Sequence, residues 1–146
     1  MTEAIQQAAP DPAATGSRPG LVLTERILSK VISLLVLGQA VLAGHSTRLF
    51  GGINIEVHGF VGNAVFTLLV VALVLALVTG AGSLRIAVLG ALTALAVGQI
   101  GLGYMGRTSL DAAGWHVPLG VAIFGLSIYN VMLARDSAKR VAFASS

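Results

Sequence analysis

Four long apolar runs divide the chain, at residues 31–44, 60–79, 86–104 and roughly 117–134, with the polar positions gathered between them. A bilayer core about 30 Å thick is crossed by about 20 helical residues. The last three runs meet that length directly. The first meets it when the helix begins near Ile27 and Arg26 and Lys30 extend their charges to the headgroups. Transmembrane strands alternate polar and apolar residues, and these runs do not. The pattern predicts an all-α integral membrane four-helix bundle, with helices at about 26–45, 56–79, 84–105 and 112–134 inside a transmembrane domain spanning 25–136.

The flanks read differently. Residues 1–24 are rich in Pro, Ala and Gly without apolar periodicity, the composition of a disordered tail. Residues 137–146 read as a short second tail. The string VLAG at 41–44 resembles a signal-peptidase site, but its apolar run starts too far along the chain for a signal peptide. The first helix is therefore expected to be retained.

Composition agrees with a lipid environment. Hydrophobic residues make up 55% of the chain and charged ones 10%, with a mean hydropathy of +0.89. Soluble domains carry about 25% charged residues. The absence of cysteine excludes disulfides, thiolate metal sites and a thiol nucleophile. A net charge of +3 and a pI near 10.0 do not indicate nucleic acid, because of where the charges sit. In an up-down reading Arg18, Arg26, Lys30, Arg85, Arg135, Lys139 and Arg140 share one side of the membrane, and only Arg48 and Arg107 face the other. By the positive-inside rule both termini are expected in the cytoplasm of a multi-pass cell-membrane protein. The basic residues then face anionic lipid.

Inside this apolar sequence one phrase is written twice. HGFVGNAVF from His58 and HVPLGVAIF from His116 share the His, a Gly four residues on, an Ala two beyond that and the final Phe. Upstream, LVLGQAVL (35–42) matches LAVGQIGL (95–102) at the first Leu, at Gly-Gln and at the last Leu. Arg48 and Arg107 fall between the paired strings. Each half thus reads as a helix with Gly-Gln, an outer loop with Arg and a helix opening with His-x-x-x-Gly. This is an internal duplication of a helical hairpin. Both copies start and end on the inner side, so they are parallel repeats about an axis along the membrane normal.

The duplication sets His58 and His116 at one depth on equivalent helices. Ionisable groups within spans default to function, and neutral imidazole is a good ligand for iron, zinc or copper. Gly62 and Gly120, one turn inward on the same faces, leave room for a flat macrocycle against the backbone. The pair suits bis-histidine ligation of haem b, with Arg48 and Arg107 as partners for its propionates. Other readings remain open. Short loops commonly hold an arginine, and interfacial histidines are commonly solvated, as His45 is expected to be. Gln39 and Gln99 are explained by interhelical hydrogen bonds, with bonding to a ligand histidine as the alternative. The glycines allow close helix packing, and Trp115, Tyr104 and Phe50 read as interface anchors.

IEVHGFVGNAVF, GQIGLGYMGRTSL and AGWHVPLGVAIFGL resemble one four-helix half of the haem A synthase family. The chain is similar, more loosely, to small four-helix actinobacterial membrane proteins with a comparable Gln on helix three and His on helices two and four. The first resemblance covers roughly residues 38–133 and implies a haem-b bundle ligated by His58 and His116. Two departures limit it. That family has eight helices, and its catalytic motif places a Glu three to four residues before a His-Arg pair. Here Glu56 stands two residues before His58 and Gly59 replaces the Arg, so the oxidising activity is not carried over.

The sequence-level expectation is a small b-type cytochrome-like membrane protein that exchanges electrons with a quinol, a redox protein or a larger membrane complex. The alternative is a cofactor-free accessory or assembly subunit. Zinc or copper held by His45, His58 and His116 is a further option. No nucleophile–base–orienter set, phosphate-binding loop or zinc-protease motif is present, which argues against a hydrolase. A transporter is disfavoured because the sequence presents no broken helix and no buried charge pair at midplane.

Overall fold

The computed structural model describes the backbone at residues 19–45 and 53–144 and the side chains at 20–44 and 55–136. Four helices follow one another: α1 (Pro19–His45), α2 (Ile53–Val78), α3 (Ser83–Met105) and α4 (Leu110–Ala144). Each contains a stretch long and apolar enough to cross a membrane: Gly20–Gly44, Ile55–Val78, Ser83–Met105 and Leu110–Asp136. The chain is a multi-pass four-helix bundle, and its described residues contain no strand.

The helices form a square. α1 packs on α2 and α4, and α3 packs on α2 and α4, while neither diagonal pair is in backbone contact. The core is a stripe repeated on every helix: Ile32 and Val36 on α1, Val65, Leu69, Ala72 and Ala76 on α2, Val88, Leu89, Leu92 and Ala96 on α3, and Ile123 on α4. Spacings of three and four keep these residues on one face of each helix. The opposite faces are also apolar: Leu34, Phe60, Val74, Val97 and Val121 are exposed in the isolated chain. That all-round apolarity matches helices whose outer faces meet lipid.

The connections have local causes. Gly80 ends α2 at φ 66°, a conformation that favours glycine. The Ala81 amide donates to the Ala76 carbonyl (2.8 Å) and the Gly80 amide to that of Leu77 (3.3 Å), closing a Schellman motif. At the start of α4 the Ser109 hydroxyl accepts the Ala112 amide at 3.3 Å, an N-cap. Gly106 lets α3 approach α4, because a Cβ there would stand 3.3 Å from the Ala113 backbone.

The helix starts, and the end of α4, lie outside the bounds expected from sequence. α1 starts at Pro19 rather than near Arg26, since proline is well tolerated at the first helical position and Leu21, Val22 and Leu23 continue the apolar run. α4 continues to Ala144 through the expected tail, because residues 135–144 contain no Gly or Pro to stop it. The remaining tail residues, 1–18 and 145–146, lie outside the described residues, as do Phe50 and Arg48.

The α2–α3 end of the bundle holds an unexpected polar core. Arg85, taken from sequence as an inner-side surface charge, is 4% exposed and paired with Glu25, itself 3% exposed. Thr79 donates to the same carboxylate, and Asn130 on α4 donates to Ser29 on α1 at 3.1 Å. A buried charge pair therefore exists, although it lies in the second turn of α1 and the first turn of α3 rather than at midplane.

Candidate functional site

The opposite end, where α1 meets α2 and α3 meets α4, collects the duplicated residues. His58 lies in the second turn of α2 and His116 in the second turn of α4. Although α2 and α4 are diagonal, the two imidazoles meet across the bundle axis with ring centroids 5.8 Å apart and planes inclined by 62°. Two imidazoles on one metal, with bonds of about 2 Å each plus the distance from nitrogen to ring centre, stand about 5–6 Å apart by centroid, depending on the angle between them.

Each histidine is fixed to its neighbouring helix by the glutamine of its own repeat. Gln39 Nε2 donates to the His58 carbonyl at 2.9 Å, and Gln99 Nε2 donates to the His116 carbonyl at 3.0 Å. These are the interhelical bonds expected for the glutamines, and both fall on the histidine residues themselves. The paired glycines make them possible. A Cβ at Gly62 would lie 3.0 Å from Gln39 Nε2, and one at Gly120 would lie 3.0 Å from Gln99 Nε2. In this structure the space left by each glycine holds a glutamine amide, whereas the sequence reading assigned it to a macrocycle. The amide oxygens Gln39 Oε1 and Gln99 Oε1 are buried without hydrogen-bond partners.

The rings are held unequally. His116 Nδ1 lies 3.0 Å from the Gln99 carbonyl, which can only accept, so the Nδ1 proton is donated there. The ring rests on Gly103, where a Cβ would be 3.0 Å from its Cε1. His58 Nδ1 is buried and makes no hydrogen bond.

Both histidines and both glutamines line one cavity of about 940 Å³. Its wall includes Gly59, Gly62, Gly103 and Gly120 together with Val65, Ala96, Ile100, Ile123 and Phe124. The volume falls in the range of cofactor and ligand pockets, which are mostly apolar with a few placed polar groups. The buried Val36, Leu69 and Leu92 belong to the apolar core between this cavity and the polar core around Glu25 and Arg85.

Arg107 reaches the cavity rim, with its Cζ 5.3 Å from the Tyr104 ring centroid and its Nη2 3.9 Å from the place of a Cβ on Gly59. Its counterpart Arg48 and the His45 side chain lie outside the described residues. Glu56 and Asp111 are exposed in the first turns of α2 and α4, where carboxylates favour the helix N-terminus. The described residues contain no group of three or more His, Asp or Glu side chains arranged for a metal ion. Of the three histidines in the zinc or copper option, the described side chains include His58 and His116, and these two are brought together. A haem would ask the protein for two nitrogen donors, and His58 and His116 are the residues that would hold it.

Sequence reasoning passed over Gly103 and Tyr104 as parts of the site. The signal for Gly103 was present: it stands four residues after Gln99, on the same helical face. No family model matches the chain, and searches of curated proteins and of solved structures likewise return no match.

Proposed function

We propose that the protein is a small b-type cytochrome-like membrane protein that binds haem between His58 and His116. The observation that carries this reading is the meeting of the two imidazoles, 5.8 Å apart across the bundle, at the wall of a cavity of about 940 Å³. His58 and His116 would supply the axial nitrogens, the Val65, Ile123 and Phe124 walls the apolar faces, and Arg107 a cation for a propionate. A haem bound here supplies one-electron chemistry, and the chain's own part is ligation, orientation and exclusion of water. The resemblance to one half of the haem A synthase family supports the same ligand pair. The altered Glu–His–Arg motif, with Gly59 after His58, favours electron transfer over substrate oxidation.

In this reading the protein resides in the cell membrane with both termini cytoplasmic. The histidine end then faces outward, toward a quinol, a redox protein or a larger membrane complex. Absorption spectroscopy of the purified protein tests the proposal. Haem bound with two histidines gives a Soret band and a low-spin spectrum, both lost in the His58→Ala/His116→Ala double variant. A protein that stays colourless after haem reconstitution overturns it and leaves the cofactor-free accessory subunit as the reading.

A further inference from the structure

The two halves of the site differ at one position, and that difference decides how firmly each histidine is held. The His116 ring lies on Gly103, four residues after Gln99, where a Cβ would be 3.0 Å from Cε1. Seated there, its Nδ1 reaches the Gln99 carbonyl at 3.0 Å. In the first half the residue four positions after Gln39 is Ala43, also in the cavity wall. The repeat thus puts a methyl group on α1 where α3 has none. In agreement, His58 Nδ1 is buried and makes no hydrogen bond.

A metal-bound histidine almost always donates its other ring N–H to a carbonyl or carboxylate, which fixes the tautomer and ring angle and raises the basicity of the ligating nitrogen. His116 has that partner and His58 does not. Ligation through His58 Nε2 leaves a buried Nδ1–H without an acceptor, and the ring loses rotational freedom with no compensating bond. We infer that His58 is the exchangeable ligand: haem in this cavity is anchored by His116, while the His58 side opens to a small neutral ligand of the diatomic-gas class. This rests on the haem reading proposed above and adds to it which face of the iron is accessible.

Carbon monoxide titration of the reduced, haem-loaded full-length protein in detergent micelles tests the inference. The wild type is expected to bind carbon monoxide saturably, with a shifted Soret band. His58→Ala is expected to retain haem to within about twofold and to bind carbon monoxide more than about tenfold tighter. His116→Ala is expected to lose haem affinity by about 10–100-fold, the scale of perturbing a metal ligand's support. Two further variants keep both histidines and report on seating alone. Ala43→Gly should weaken carbon monoxide binding by letting His58 settle as His116 does, and Gly103→Ala should strengthen it. A six-coordinate spectrum that carbon monoxide does not alter overturns the inference. Equal haem loss in His58→Ala and His116→Ala overturns it as well. Both results leave the haem reading intact, whereas absence of any Soret band removes that reading and this inference together.

Discussion

Gln39 donates its side-chain amide to the His58 carbonyl at 2.9 Å, and Gln99 repeats the same bond to His116 at 3.0 Å in the second half of the bundle. The pairing ties α1 to α2 and α3 to α4 at one depth. It also brings the diagonal helices α2 and α4 into register, so that their histidines meet. The glycine one turn below each histidine favours this arrangement, because a Cβ there would crowd the amide at 3.0 Å.

Gly62→Ala and Gly120→Ala should therefore act alike. Each added methyl stands 3.0 Å from a glutamine nitrogen, so the amide must give by a few tenths of an ångström and its bond to the histidine carbonyl is loosened. The expected cost is about 1–3 kcal/mol for overpacking, together with reduced haem content. Gly101→Ala meets nothing within 4 Å and should leave both unchanged. Thermal unfolding in detergent and haem-to-protein ratios read the three variants. Unequal stability losses at Gly62 and Gly120 contradict the symmetry.

Glu25 and Arg85 lock α1 to α3 through a buried ion pair to which Thr79 adds a hydrogen bond. Removing one charge leaves the other buried and unpaired, at a cost of about 3–5 kcal/mol, while replacing both by apolar residues of similar volume is often neutral. Arg85→Met should unfold at markedly lower denaturant, and Glu25→Leu/Arg85→Met should recover most of the loss. Since the pair belongs to the core opposite the histidines, the double variant should keep its haem spectrum.

Arg107 sits at the cavity rim over Tyr104. Arg107→Ala should lower haem retention by a few-fold, as expected for losing a partly exposed charge-assisted contact worth about 1 kcal/mol. The six-coordinate spectrum should persist, because neither axial ligand is touched. Loss of low-spin character in this variant would move Arg107 from a propionate partner to a support of the ligands.

The arrangement of basic residues predicts the topology. An alkaline phosphatase fusion after Ser146 should be inactive, and one inserted at Thr108, between α3 and α4, should be active. Reversal of the two would place the histidine end in the cytoplasm.

Much of this was legible in the sequence because two periodicities carried it. Twenty-residue apolar runs give helix number and path, and a hairpin-long repeat gives their symmetry. The His, Gln and Gly pairs were found from that repeat and do converge in space. The role of the glycines was not legible, because which neighbour fills an empty Cβ position depends on how α1 and α3 rotate against α2 and α4. The Glu25–Arg85 pair escaped for a related reason. Arg85 follows a turn and reads as a flanking charge, and only the inward rotation of α1 and α3 brings Glu25 to it. The helix ends extended because Pro19 is a good starter and nothing after Arg135 acts as a stop.

Electron paramagnetic resonance of the oxidised, purified full-length protein, taken with its absorption spectrum, tests the central claim most directly. The account predicts stoichiometric haem with a low-spin, two-imidazole signature that disappears in the His58→Ala/His116→Ala variant. Protein without haem after reconstitution contradicts it, and so does haem whose spectrum is indifferent to both histidines.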